Sequence, residues 1–269
     1  MSKNRAAWIL SPTKAFSVSD VPTYEPKAGE VLIKAAAVAV SPIDWKNQDA
    51  GTYSSLYPFI LGRNTAGTVE DVGKEVTKFY KGQRVIAHLH SPKTGNYANS
   101  AFQLYSLASE WFTAAIPDSI SFKKSVVLPL SLSTATAGLY LPGYLNLPLP
   151  STAPQTSSKV ILGTELIGIY DAISEEQSFT PIKEIVRQLD GTTDEFQPSF
   201  VSYVIRYCLP PNERIGKVVW GNFITKGPAN GQLQSKPDPL VIGHVLEMVQ
   251  RGVNLQKAGV SAKKIVVTL

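Results

Sequence analysis

Short runs of apolar residues, broken by Gly, Pro and polar clusters, fill the first third of the chain. The longest is 30–40, where the polar residues Glu30 and Lys34 fall on one side of a two-residue alternation, as a half-buried strand requires. Residues 6–10, 66–73, 83–89 and 101–107 repeat the pattern at shorter length. A Pro/Gly connector at 21–29 and a polar loop at 91–100 separate them. Many short strands at this spacing predict a small, partly open β-barrel.

The period then changes. Ser121 is placed to cap a helix over 122–128, and a second helix is expected over 130–140. Pro142, Pro148, Pro150 and Pro154, with Ser and Thr between them, mark 142–158 as an extended linker. Beyond it come strands at 159–162 and 166–170. An amphipathic helix over 175–189 is capped by Ser174, and its Phe179, Ile182, Val186 and Leu189 share one face. A strand at 200–209 ends at Pro210-Pro211, and 218–234 reads as a short helix with a turn at Asn230-Gly231. A helix over 240–250 and a strand over 264–269 complete the chain. The expected class is α/β with mixed β structure: a barrel domain over 1–141, completed by about 235–269, a linker at 142–158, and an α/β domain over 159–234.

Composition narrows the function classes. The 269 residues are 43% hydrophobic and 17% charged, ordinary for a globular protein able to bury a sizeable core. The net charge of +5 is spread over scattered lysines, not gathered into the stripe a nucleic-acid surface needs, so no nucleic-acid partner is expected. Cys208 is the one cysteine, which excludes an internal disulfide and a Cys-rich zinc site. No apolar run approaches membrane-spanning length, so no membrane partner is expected and a reducing, cytoplasmic setting is.

Several segments together carry a resemblance. They are Gly29-Glu30-Val31-Leu32-Ile33-Lys34, Ser41-Pro42-Ile43-Asp44-Trp45-Lys46, Tyr57-Pro58-Phe59-Ile60-Leu61-Gly62, Ala66-Gly67-Thr68-Val69, Gly82-Gln83-Arg84-Val85, Leu132-Ser133-Thr134-Ala135 and 258–267. In these the chain resembles the medium-chain dehydrogenase/reductase superfamily. Within it, the chain is similar to the zinc-free fungal branch of trans-acting enoyl reductases and quinone-oxidoreductase-like proteins. The resemblance implies a GroES-like barrel, a Rossmann-like cofactor domain, NADPH as cofactor and a small-molecule substrate with an activated C=C bond. Relatives often dimerise; a homodimer or a partner protein stays open.

Zinc-dependent members of the superfamily place Cys where Ser41 stands and Gly-His-Glu where Gly62-Arg63-Asn64 stands. Zinc wants thiolate and imidazole ligands, and neither is present, so no metal is expected. His88 and His90, two apart on a strand, either chelate or are ordinary solvated or hydrogen-bonded histidines. His244 is assigned to the last helix. By resemblance the active-site loop maps onto Ser41, Asp44 and Lys46: Ser41 as hydrogen-bond donor, Lys46 as cation or proton source, Asp44 orienting Lys46. The alternative is a turn cap at Asp44 and a surface lysine at 46. Thr134 and Thr136 match positions that touch the nicotinamide in relatives, or else pack within their helix.

The cofactor segment departs from the family. A dinucleotide fold needs a strand, a Gly-rich turn and a helix N-terminus facing the pyrophosphate. After Lys159-Val160-Ile161-Leu162 only Gly163-Thr164-Glu165 precede the next apolar run, Leu166-Ile167-Gly168-Ile169-Tyr170. Parallel neighbours need a crossover of about a dozen residues, so these runs form a hairpin, fuse, or fail to pack, and none of these recreates a phosphate cradle. The Rossmann-like part is therefore expected to be truncated and rearranged, with NADPH binding weak or absent. Three alternatives stay open: an impaired reductase, a non-enzymatic remnant or protein-binding partner that keeps the barrel, and a longer parent chain that holds the activity.

Overall fold

A computed structural model describes residues 3–51, 56–141, 220 and 234–269. The chain divides into two compact units, Met1–Ser133 with Pro210–Leu269, and Thr134–Leu209. The expected linker at 142–158, the strands at 159–162, 166–170 and 200–209, and the helix at 175–189 lie outside the described residues, as does nearly all of 218–234.

Strand β3 (Glu30–Ala39) is the spine of the first unit. One edge pairs antiparallel with β5 (Asn64–Val72) along its whole length. The other edge is shared: β7 (Tyr105–Ser109) covers its first half and β10 (Lys263–Thr268) its second. Beyond β5 lie β6 (Arg84–His88) and β8 (Thr113–Ala115), and beyond β10 lies β9 (Asp238–Gly243). A second sheet has the order β2-β1-β4, from Ser17–Val21, Asn4–Ile9 and Phe59–Ile60. The core between them includes Ile9, Ile33, Phe59, Ile60, Phe102 and Ile265, each essentially inaccessible. The architecture is mixed, as expected, with sheets that stay open. No helix among the described residues is long and apolar enough to cross a membrane.

Ala35, Ala37 and Ala39 let β5 run close to β3, and the register shifts between Ala35 and Ala37. At this shift Gly67 is required by space: a Cβ there would stand 2.0 Å from the Lys34 carbonyl oxygen. Gly67→Ala is expected to cost about 1–3 kcal/mol through forced backbone displacement. Equilibrium denaturation checks this; an unchanged midpoint would mean that β5 is not tightly seated on β3.

Five expectations are corrected. Residues 240–243 belong to strand β9, not to a helix: a short run such as Leu240-Val241-Ile242 has no usable periodicity, and only its pairing with β10 decides it. The pairing is parallel, and the helix Val249–Ala258 (α5 below) lies in the connection that parallel strands require. His244 accordingly sits outside any helix, its Nδ1 2.6 Å from Thr268 Oγ1. The polar stretch 91–100 is partly helical, with a short helix α2 (Ser91–Thr94) and a 3-10 turn over Tyr97–Asn99. The helix after Ser121 is only Phe122–Ser125 (α3). The strand expected at 101–107 begins at Tyr105; before it the chain runs along β1, with Ala7 N donating to Phe102 O and Leu104 N to Arg5 O.

Helix α1 (Pro42–Ala50) leaves the end of β3 after Val40. Ser41 is its extended N-cap, Pro42 opens its first turn, and Gly51 at φ 57° ends it. Gln48 Nε2 donates to Gln250 Oε1 (2.9 Å) on α5, and Lys257 Nζ lies 2.6 Å from Asp49 Oδ2. The helix that carries Asp44 and Lys46 is thus braced against the C-terminal βαβ unit. Helix α4 (Pro129–Tyr140) begins in the first unit and runs into the second.

Candidate functional site

A buried polar cluster forms where the end of β3, the start of β5 and the start of β10 meet. Ser41, Asp44, Arg63, Asn64 and Lys264 are all 8% exposed or less. Backbone pairing assembles it: Val40 N donates to Ile265 O (3.0 Å), which sets Ser41 beside Lys264. Asn64 pairs with Ala39 at the opposite edge of β3. Lys264 Nζ donates to Ser41 Oγ at 2.7 Å, and Asn64 Nδ2 donates to the same oxygen at 3.0 Å. Asn64 also donates to Ala39 O (3.2 Å) and accepts from Leu130 N (2.8 Å).

Asp44 closes the first turn of α1 by accepting from Ser41 N at 2.8 Å. Burial pushes its carboxyl up to about 6; the N–H groups of Ser41 and Gly62 and the charges of Arg63 and Lys264 pull the other way. Gly62 has φ 91° and Phe102 packed against it, leaving no room for a side chain. Burial likewise pulls the Lys264 ammonium down to about 8, against the attraction of Asp44. Both groups are therefore charged between about pH 6 and about pH 8.

His88 and His90 lie beside this cluster, both buried, with ring centroids 4.2 Å apart. His90 packs on Phe112 at 4.4 Å, and His88 Nδ1 is 2.8 Å from Ser133 Oγ. Burial is the main cause that holds His88 well below its ordinary value and drives His90 down to about 3; Arg63 works in the same direction on both. Both rings are neutral at neutral pH. Of the two readings open for this pair, the geometry gives buried rings, one of them hydrogen-bonded. No group of three His, Cys, Asp or Glu side chains capable of holding a metal occurs among the described residues.

Of the sequence-predicted site residues, Ser41 and Asp44 come together and Lys46 does not join them. Lys46 Nζ lies 5.5 Å from the centroid of the Trp45 ring. Residues two apart on a helix do not face each other, so the cations that Asp44 faces are Lys264 and Arg63. Thr134 and Thr136 lie on α4 in the stretch counted with the second unit; Thr136 is buried and Thr134 half-buried. Sequence reasoning missed Lys264. The available signal was a lysine opening the apolar run Ile265-Val266-Val267, but nothing in the pattern separates the exposed Lys263 from the buried Lys264.

Comparison with known proteins bears on this cluster. The profile described as "Alcohol dehydrogenase GroES-like domain" matches residues 27–129. The "Trans-enoyl reductase himH" of Aspergillus japonicus is 32% identical, over 99% of this chain and 97% of its own length. The "Dehydrogenase orsE" of Emericella nidulans is 28% identical over the whole of both chains. Among solved structures, an alcohol dehydrogenase superfamily protein from Novosphingobium aromaticivorans superposes with a TM-score of 0.66 over 99% of each chain, at 16% identity.

Proposed function

Because the chain belongs to the medium-chain dehydrogenase/reductase superfamily, we propose that it is an oxidoreductase built for zinc-independent reduction of an activated C=C bond, of enoyl, enone or quinone type, whose hold on NADPH is impaired. The observation that carries the zinc-independent part is the buried cluster. Where zinc-dependent relatives place thiolate and imidazole, this chain has the Ser41 hydroxyl, the Arg63 guanidinium and the Asn64 amide. The Lys264 ammonium stands 2.7 Å from Ser41 Oγ. Two cations and a hydroxyl repel a dication instead of ligating it. They suit an oxygen that gathers negative charge.

NADPH is the family's hydride donor, and the residues of its expected pyrophosphate site do not fit it. Gly163-Thr164-Glu165 supplies one glycine and adds an anion where a dianion would lie. The alignment with the Aspergillus japonicus relative runs over 335 positions, against 269 residues here, so that relative carries residues with no counterpart in this chain. This supports a lost internal block. The small-molecule substrate, the cytoplasmic setting and a homodimeric or partner-bound state belong to the same proposal. The second reading, a non-enzymatic partner protein that keeps the barrel, draws its support from that same block.

The test is NADPH oxidation with enoyl thioester, enone and quinone substrates, with and without a strong zinc chelator. We expect slow turnover that needs cofactor far above micromolar levels and is indifferent to the chelator. Loss of activity on chelation would overturn zinc independence, and no turnover with any substrate at saturating NADPH would favour the partner-protein reading. Because Lys46 stands by the Trp45 ring and not in the cluster, Lys46→Ala is expected to leave whatever rate is found unchanged, and a lowered rate would return Lys46 to the site.

A further inference from the structure

We propose that Lys264 is a positioning residue of the site: with Asn64 it occupies both acceptor positions of the Ser41 hydroxyl and so commits that hydroxyl's single proton to a ligand oxygen of the carbonyl or enolate class. The inference rests on the reductase reading given above.

The donor and acceptor roles follow from the neighbours. The Ala39 carbonyl only accepts and the Leu130 N–H only donates, so the Asn64 amide has one orientation: Nδ2 toward Ala39 and Oδ1 toward Leu130. Nδ2 is therefore the atom 3.0 Å from Ser41 Oγ, and it donates. An ammonium has three protons and no lone pair, so Lys264 Nζ, at 2.7 Å, donates as well. A hydroxyl oxygen has two lone pairs, and both are taken. Its proton is left with the one remaining direction. A positive donor at its back also draws charge from the oxygen and strengthens it as a donor.

Burial matters in two ways. Ser41 is fully buried and Lys264 nearly so, so water does not compete for the hydroxyl. A ligand oxygen reaches it only by displacing what covers it. The charged group that acts on Lys264 is Asp44, on α1, which in turn feels Arg63, just before β5. The arrangement holds only while Lys264 carries its proton, which burial lets go near pH 8. Above that pH, Nζ has a lone pair, Ser41 turns its proton onto it, and the committed donor is lost.

The test uses 4-nitrophenolate as a mimic of an enolate oxygen, followed by its absorbance in the absence of nicotinamide. The wild-type protein is expected to bind it at pH 7 and to weaken at least tenfold by pH 9.5. Ser41→Ala and Lys264→Met are each expected to bind at least tenfold more weakly at pH 7, with circular dichroism confirming the fold. Lys264→Arg, which stays charged, is expected to bind with no fall up to pH 9.5. Absence of wild-type binding, a pH-independent wild-type affinity, or unchanged binding by a folded Lys264→Met overturns the proposal. If Lys264→Met fails to fold, the contrast between the wild-type and Lys264→Arg pH profiles decides alone, since a purely structural lysine would leave the two profiles alike. Phenolate binding of this kind without enone reduction at any NADPH concentration would sink the reductase reading and leave the committed donor standing.

Discussion

Asp44→Ala is expected to destabilise the protein by about 3–5 kcal/mol, the cost typical of removing one partner from a buried set of charges. The carboxylate accepts the Ser41 and Gly62 N–H groups and is the anion that Arg63 and Lys264 both feel inside the cluster. Alanine removes acceptor and charge together. Asp44→Asn separates them, because an amide oxygen keeps an acceptor for the N–H groups; a smaller loss is expected, with Lys264 titrating at lower pH than in the wild type. The pH dependence has a definite sign. Folded Asp44 keeps its proton up to about pH 6, against 3.8 for the free group, so its contribution to stability grows as pH falls from about 6 to 3.8 and is lost as pH rises through that window. Folded Lys264 gives up its proton near 8, against 10.5, so its contribution grows as pH rises between those values. Urea denaturation of wild type and Asp44→Asn between pH 4 and 7 checks this. An Asp44→Asn profile as steep as the wild type's would show that Asp44 is not the titrating group.

The second large effect concerns the cofactor. Inserting a strand–Gly-rich turn–helix dinucleotide-binding segment between Leu162 and Leu166 is expected to bring NADPH-dependent enone reduction from near background to a readily measured rate. The reason is chemical. A pyrophosphate needs a close approach of backbone N–H groups, which Gly-rich turns allow and which Thr164 and Glu165 do not. A graft that folds, binds NADPH and still reduces nothing would place the defect in the substrate site and not in the cofactor segment.

The spine of the fold was legible because β3 is long and its two polar residues fall in phase, and Glu30 and Lys34 alone set its register against solvent. Strand β9 was not, because three apolar residues between Pro239 and Gly243 carry no period. Its identity comes from β10, some twenty residues away. The candidate site divides the same way. Ser41 and Asp44 sit in a local N-cap arrangement that sequence can show. Lys264 reaches Ser41 across 223 residues of chain, and only the pairing of β3 with β10 brings them together. Lys46, adjacent in sequence to the loop, was the natural choice of cation. Helix geometry turns it away from Asp44, and the cation beside Asp44 comes instead from the far end of the chain through the β3–β10 pairing.

We propose that this superfamily member keeps a zinc-free polar site and has lost its grip on the nicotinamide. Titration of NADPH with the purified chain, followed by nicotinamide fluorescence, tests it most directly. No saturable binding in the micromolar range is the result expected. A micromolar dissociation constant, competed by NADP, would contradict it and would mean that residues 159–170 build a pyrophosphate site without a Gly-rich turn.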